Sequence, residues 1–407
     1  MSTHEPPGAR PAPLRTYDVD APLELLADPV AQWLDWEEQA NLVGFRTSTQ
    51  PVEVDVVAVP RADVEVFELP GAPPAIVRRF VADDRVRIPR HPLNRDASVR
   101  WSDAPAAERW TARFTASRTL AMPGPESGSA LFSVKLATDH PHPDFHQPEK
   151  TKLREEALDA VRWTAAIDRV DARLAPLEVA VLVREVLVVL ERGGEAGVLV
   201  RDLRRFQTGG YFLPALSLPW VGRQIAARAG EDFAPFWERC YAAPIGRAKA
   251  ELLVRYGLWY ETPNPQNVVI ELDARLAPTG RILFRDVGDG LCATDALALA
   301  GPDAPPWTVF TGELRPETQT SFWAFAESAD HSVDAATLER WYRAHDDAYY
   351  GELARRLPAL APRDATASGR APEALRAHWS DALRAPGAAA AVAALVARPA
   401  RAPGGAP

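Results

Sequence analysis

The sequence predicts an α+β fold, on three observations. Apolar residues alternate in 52-VEVDVVAV-59, 64-VEVFEL-69 and 109-RWTARFTASRTL-120, the period-two signature of half-buried strands. Helical spacing of Leu, Val and Trp marks 22–43, 148–170, 231–257 and 333–360. A second pair of strands, 266-QNVVIELD-273 and 281-RILFRD-286, returns late in the chain, joined by the turn 274-ARLAPTG-280. Strands and helices come in separate runs rather than in strict alternation, which is the α+β pattern.

Taken in order, residues 1–16 are Pro-rich and read as a disordered tail. Residues 17–85 form an N-terminal α/β segment, a helix over 22–43 followed by 52–59 and 64–69 as paired strands. The run 85-RVRIP-89 is a further strand that delivers His91. Residues 86–146 are β-rich. The strand 109–120, the turn 123-PGPESGS-129 and the return 131-LFSVKLAT-138 predict a hairpin. A strand through 117–119 puts Ser117 and Thr119 on one face with Arg118 opposite, and pairing with the return strand brings Lys135 beside them. Residues 147–360 mix helices with the later strand pair. Within them, 176-PLEVAVLVREVLVVLERGG-194 reads as a buried helix capped at Gly193-Gly194. Residues 361–407 are rich in Ala, Pro, Gly and Arg and read as a second tail.

Composition narrows the function. The 407 residues are 47% apolar and 25% charged, an ordinary globular balance with room for two or three structural units. A net charge of −9 argues against a nucleic-acid partner, which needs a basic face. The two cysteines, Cys240 and Cys292, supply neither a disulfide framework nor a CxxC metal site, and fit a reduced cytoplasmic location. The stretch 1-MSTHEPPGARPAPLR-15 lacks the apolar core of a signal peptide. The longest near-apolar run, 388-AAAAVAALVA-397, is too short to span a bilayer, so no membrane partner is expected. No GxGxxG after a strand, GxxxxGK[ST] or GxSxG is present.

Chemistry concentrates in two polar clusters at strand ends, 115-TASRTL-120 with 131-LFSVKLAT-138, and 256-YGLWYETPNPQNVVIEL-272 with 282-ILFRDVGDG-290. Arg118 offers a planar fork for phosphate oxygens and Lys135 a mobile point charge. Ser117 and Thr119 add hydroxyls, Gln266 and Asn267 neutral donors and acceptors. Asp286, with Glu261 or Glu271 as second carboxylate, suits Mg²⁺, which keeps several waters and needs one or two carboxylates. Together they suit a nucleoside triphosphate with Mg²⁺. The loop 139-DHPHPDFHQPEK-150 carries His140, His142 and His146. Its prolines favour an extended loop over the site, with metal binding as the alternative.

The ordered set 91-HPLN-94, 117-SRT-119, 135-KL-136, 266-QN-267 and 285-RD-286 resembles the NRPS-independent siderophore synthetases of the IucA/IucC type over residues 86–290. The resemblance implies a β-rich nucleotide-binding segment packed on a palm-like segment of helices and sheet. It implies an ATP- and Mg²⁺-dependent ligase that activates a polycarboxylate as an acyl-adenylate and condenses it with an amine, hydroxylamine or alcohol. A homodimer would fit the family. His91 would border the nucleotide. Arg154 is the nearest candidate for the family's arginine at a helix start, and Arg201 for a substrate contact. The chain departs from the family at 261-ETPNPQN-267. Asn264 or Pro263, depending on the direction of counting, stands where the family has histidine, and neither can move a proton. Two other functions stay open. A phosphotransferase would use Asn267 and Asp286 on the metal, but no HGD or HRD precedes them. A non-catalytic relative would bind a nucleotide or a partner synthetase without turnover.

Overall fold

The computed structural model describes residues 23–41, 51–96, 99–101, 104–122, 131–139, 153–171, 176–256, 258–259, 264–286, 291–293, 309–310, 316, 318–327 and 331–356. Helix α1 (Pro29–Asn41) leads into β1 (Val52–Pro60), β2 (Val64–Glu68), α2 (Pro74–Phe80), β3 (Val81–Ala82), β4 (Arg85–Pro89), β5 (Glu108–Ala116), β6 (Thr119–Met122) and β7 (Phe132–Leu136). Helix α3 (Arg154–Asp171) is followed by β8 (Ala180–Leu182), β9 (Glu185–Glu191), β10 (Gly197–Asp202) and β11 (Tyr211–Pro214). Then come α4 (Arg223–Arg228), α5 (Phe233–Trp237), α6 (Ala243–Tyr256), β12 (Leu258–Trp259), β13 (Val268–Leu272), β14 (Pro278–Phe284), β15 (Leu291–Ala293), β16 (Val309–Phe310), α7 (Thr318–Glu327) and α8 (Ala335–Arg356). Among the described residues these strands form three sheets, ordered β2-β9-β10-β7-β6-β5-β1-β4-β3, β11-β13-β14-β8 and β12-β15-β16.

The first sheet explains how a cleft can carry charge inside a packed protein. Along β7, Phe132, Val134 and Leu136 join one core with Leu120, Phe114, Val198, Val200, Leu187 and Val189. The alternate residues Ser133 and Lys135 must face the other way. In the register, Lys135 lies between Thr119 of β6 and Leu199 of β10, and Ser133 lies opposite Arg201. Directly opposed residues share a face, so Thr119, Lys135 and Arg201 point to the same side. Helix α3 covers the neighbouring part of that side, packing Leu153, Ala157 and Ala160 on Val188, Leu190 and Leu199. Its first turn carries Glu155 and Glu156, which suit the positive end of the helix dipole.

The second sheet is buried on both faces. Val269, Leu283 and Phe212 pack with Trp33 and Leu34 of α1. Val268, Ile270, Ile282 and Phe284 pack with α6 and α8 through Ile245, Leu252, Trp341 and Leu353. Each such large apolar side chain contributes about 1.5–3 kcal/mol on burial. Helix α1 is wedged between the two sheets. It buries Glu37 and Glu38 as well as its tryptophans, and those carboxylates meet Arg285 and Arg113.

The fold is the predicted α+β class, with four local corrections. β1 and β2 do not pair. β1 lies between β4 and β5, and β2, which follows the short turn Arg61–Asp63, pairs with β9 at the edge of the sheet. The expected strand over 109–120 is two strands that turn sharply at Ser117–Arg118, with Ala116 opposite Thr119. The expected helix over 176–194 is β8 and β9. β9 has apolar residues on both sides because both faces are covered, and Gly193 (φ 76°) turns a hairpin into β10 rather than capping a helix. The boundary drawn at 146 also cuts the first sheet, since β9 and β10 complete it. No described helix is long and apolar enough to cross a membrane.

Candidate functional site

The Ser117–Arg118 turn, β7, the end of β10, the first turn of α3 and the two ends of the β13–β14 hairpin enclose one polar cavity of about 260 Å³. Ser117, Arg118, Thr119, Lys135, Glu156, Arg201, Asn264, Gln266, Asn267, Arg285 and Asp286 line it. The turn is tied down by the Leu136 amide, which donates to the Arg118 carbonyl at 2.9 Å.

Charge in this cleft is paired across elements distant in sequence. The Lys135 ammonium donates to Asp286 Oδ1 at 2.8 Å and also to Glu156 Oε1. Arg118 Nη2 donates to Glu156 Oε2 at 2.6 Å. Arg201 reaches Asp286 with one arm and Glu185 Oε1, at 2.9 Å, with its Nε. Arg285 Nη1 pairs with Glu37 at 2.6 Å, and its other arm donates to the Gln266 carbonyl. Burial pushes the Asp286 carboxyl up, but Arg201 and Lys135 outweigh it and hold the group far below the usual carboxylate range. Glu156 is also lowered. Burial raises it, while Lys135 and Arg118 more than offset that and Asp286 opposes them. Asp286 sits in the left-handed region at φ 59°, which Asp tolerates better than most residues and which is a common mark of functional positions.

One donor in this network has no acceptor among the described residues. Arg118 Nη1 is buried without a hydrogen-bond partner, although the Arg118 side chain is only 9% exposed. An unpaired buried guanidinium nitrogen is costly, and an oxyanion in the cleft would satisfy it.

The expected site residues divide as follows. Ser117, Arg118, Thr119, Lys135, Gln266, Asn267 and Asp286 are brought together, and so is Arg201. Lys135 lies near the Ser117–Thr119 stretch as expected, with Thr119 directly opposite it, but the turn lets Ser117, Arg118 and Thr119 all line the cavity instead of splitting between two faces. Asn264 also lines it, as the cap of the turn Pro265–Asn267, with Oδ1 accepting from the Gln266 and Asn267 amides at 2.9 and 3.3 Å. Its role is to hold that turn, since an amide cannot transfer a proton.

His91 is not in this cleft. It lines a second cavity, accepts from the Leu93 amide at Nδ1 (3.2 Å), and through Nε2 donates to the Ser117 carbonyl at 2.9 Å. It therefore braces the turn from behind. Arg154 also points elsewhere, pairing with Glu65 and donating to the Glu191 and Gly194 carbonyls. The residue that α3 turns into the cleft is Glu156, so a carboxylate stands where a cation was expected. Glu271 is held by Arg205 and Arg281 outside the cavity. Glu261, His140, His142 and His146 lie outside the described residues. Among those that are described, no group of three or more His, Cys, Asp or Glu is placed to hold a metal.

Glu156, Glu185 and Arg285 were not among the expected site residues. Arg285 was visible only as half of the RD pair. An acidic residue in a helix's first turn reads as a dipole partner, which conceals the role of Glu156. His345 of α8, next to Asp346, is fully buried. Burial pushes it down to about pKa 4 against the pull of Asp346, which it contacts at 3.0 Å.

No family model matches the chain, and no curated protein matches it. Solved structures do resemble it. Aerobactin synthetase IucA from a hypervirulent pathotype of Klebsiella pneumoniae superposes with a TM-score of 0.50 at 14% identity, covering 83% of this chain and 70% of that one. The fold is thus that of the siderophore synthetases. The ATP-bound form of IucA gives a TM-score of 0.48 at 13% identity, covering 78% of this chain and 63% of that one. The petrobactin biosynthesis protein AsbB from Bacillus anthracis str. Sterne gives 0.49 at 12% identity, covering 78% and 62%. The chain spans less than two thirds of the length of these last two structures.

Proposed function

We propose that the chain is an ATP-dependent, AMP-forming carboxylate ligase with its nucleotide in the cleft of Arg118 and Lys135. One observation carries this reading. Cations and amides from five separate stretches of sequence converge on one cavity, where the buried Arg118 Nη1 lacks an acceptor. The donor set fits a polyphosphate. Arg118 supplies a fork, Lys135 a point charge, Arg201 and Arg285 fixed positive background, and Ser117 and Thr119 hydroxyls.

A carboxylate is a poor electrophile because oxide would have to leave. Attack of a carboxylate oxygen on the α-phosphorus of ATP breaks the bond to the β-phosphoryl oxygen and releases pyrophosphate. A nucleophile with a lone pair then attacks the activated carbonyl carbon and expels AMP. The cleft residues hold the triphosphate in line and neutralise the charge that grows on the departing pyrophosphate. Asp286 is the described carboxylate best placed for Mg²⁺, which would add a counter-charge to the phosphates. Among the described cavity residues the only carboxylates, Glu156 and Asp286, are held below the usual range and are weak bases.

The substrate class is a polycarboxylate such as citrate, and the acceptor is an amine, hydroxylamine or alcohol, in siderophore or related natural-product synthesis. The resemblance in motif order and the shared fold support this assignment. Carboxylate-dependent exchange of radiolabelled pyrophosphate into ATP tests it. Exchange that needs one acid, and that Lys135→Ala abolishes, supports the reading. ADP as the product would favour a phosphotransferase, and tight nucleotide binding without exchange a non-catalytic relative.

A further inference from the structure

We propose that Glu156 is a specificity-determining residue of this cleft. Its carboxylate holds the place of the anion that Arg118 and Lys135 bind, and the ligand enters by exchanging with it. The inference rests on the reading of the cleft as a phosphate site.

Two carboxylates line the cleft among its cations, Glu156 and Asp286, and they are held very differently. Asp286 is fixed. Its short side chain leaves a backbone in the left-handed region, and it is gripped by Lys135 and by Arg201, itself anchored to the buried Glu185. Glu156 comes from the first turn of α3 on a longer side chain and, among the described residues, pairs with Arg118 and Lys135 alone. It is also the more exposed of the pair, at 21% against 15%. Rotation about its side-chain bonds carries the carboxylate away from both cations without moving the backbone. Lys135 then still has Asp286, and Arg118 is left to the incoming ligand.

The half-used Arg118 fork shows what the cleft prefers. A carboxylate has two oxygens. Glu156 spends one on Arg118 Nη2 and the other on Lys135, so nothing reaches Arg118 Nη1. A phosphoryl group has a third oxygen and can occupy all three donors. Of the four cations that line the cavity, Arg201 and Arg285 are also paired behind it with Glu185 and Glu37, so a doubly charged phosphoryl group that displaces Glu156 meets the two cations that Glu156 leaves, Arg118 and Lys135. Glu156 therefore keeps the cleft filled when no ligand is bound and discriminates against weak oxyanions. It also sets a cost that every phosphate ligand must overcome.

The test is calorimetric titration of the full chain with inorganic pyrophosphate, without divalent metal, for wild type, Glu156→Gln and Glu156→Asp. Glu156→Gln is expected to bind pyrophosphate about tenfold tighter or more, the worth of one charge-assisted contact. Glu156→Asp, too short to span both cations, should lie between it and wild type. If Glu156→Gln does not fold, as judged by thermal melting, tightening in Glu156→Asp carries the test alone. Equal or weaker binding in the folded variants overturns the proposal, as a purely structural role would give. Absence of pyrophosphate binding in all three proteins overturns it too. In a parallel titration with Mg²⁺ present, loss of binding in Glu156→Gln would make Glu156 a metal ligand and also overturn it. The ligase reading fails separately. Tightened pyrophosphate binding with no carboxylate-dependent exchange leaves this inference standing, and exchange without tightening does the reverse.

Discussion

Two polar cavities are linked by the hydrogen bond from His91 to the Ser117 carbonyl, and they are built on different principles. In the cleft, every cation is paired with a carboxylate from a remote element, and the Arg201–Glu185 pair is almost fully buried, at 3% and 1% exposure. The second cavity, about 390 Å³, is lined by Glu53, Asp55, Arg90, His91, Asn94, Arg100 and Arg109. There Arg90 and Arg100 donate to the backbone carbonyls of Ala104 and Asn94, and the Arg109–Asp55 pair is 69% and 46% exposed. Water screens the second set of charges and leaves them worth little. The first set is desolvated, so each member depends on its partner. Cationic residues alone therefore do not single out a site. Charges that several segments of chain must cooperate to neutralise in a dry cleft do.

The comparison breaks first if buried and exposed pairs prove equally dispensable. Arg201→Ala strands Glu185 and weakens the hold on Asp286, and should cost about 3–5 kcal/mol in denaturant unfolding. Lys135→Ala should leave a folded protein whose pyrophosphate exchange falls by about 10²-fold or more, the scale for losing one charge-stabilising donor. Arg118→Lys keeps the charge but loses the fork, and should weaken nucleotide binding about tenfold. At the other extreme, Arg109→Ala in the second cavity should change stability by no more than about 0.5 kcal/mol and leave nucleotide binding alone.

Acid titration sharpens the same contrast. Asp286 and Glu156 have folded-state pKa values below their unfolded ones. Their stabilising contribution is therefore complete above the ordinary carboxylate value, about 4, and is lost as pH falls through the folded values. The protein should lose stability steeply below about pH 4, and Asp286→Asn should flatten that fall. An unchanged acid limb in Asp286→Asn would show that the cleft carboxylates are not the groups being protonated.

Much of this site was legible because its parts lie on strands whose alternation is unambiguous. The pairing of the stretch through Thr119 and Leu120 with the strand carrying Lys135 followed from one turn and two alternating runs, and β6 and β7 pair there. The Ser117–Arg118 turn was not legible, because alternation runs on through it without a Gly or Pro. β9 was mistaken for a helix because burial on both faces erases period two. The concentration of β-branched Val in 186-VLVV-189 was the signal that pointed to a strand. The partnerships of Glu37 with Arg285 and Glu185 with Arg201 depend on how α1 and β9 pack against the sheets, and no local spacing encodes that. Arg154 and Glu156 are two residues apart on one helix and so face different ways. Which of them entered the cleft was decided by the packing of Leu153, Ala157 and Ala160.

The central claim is that the cleft activates a carboxylate with ATP. The direct measurement is hydroxylamine-trapped pyrophosphate release from Mg-ATP over a panel of di- and tricarboxylic acids, with Lys135→Ala and Asp286→Ala as controls. The account predicts release that depends on one acid and disappears in both variants. Absence of release with every acid, from protein shown to be folded and to bind ATP, would contradict it.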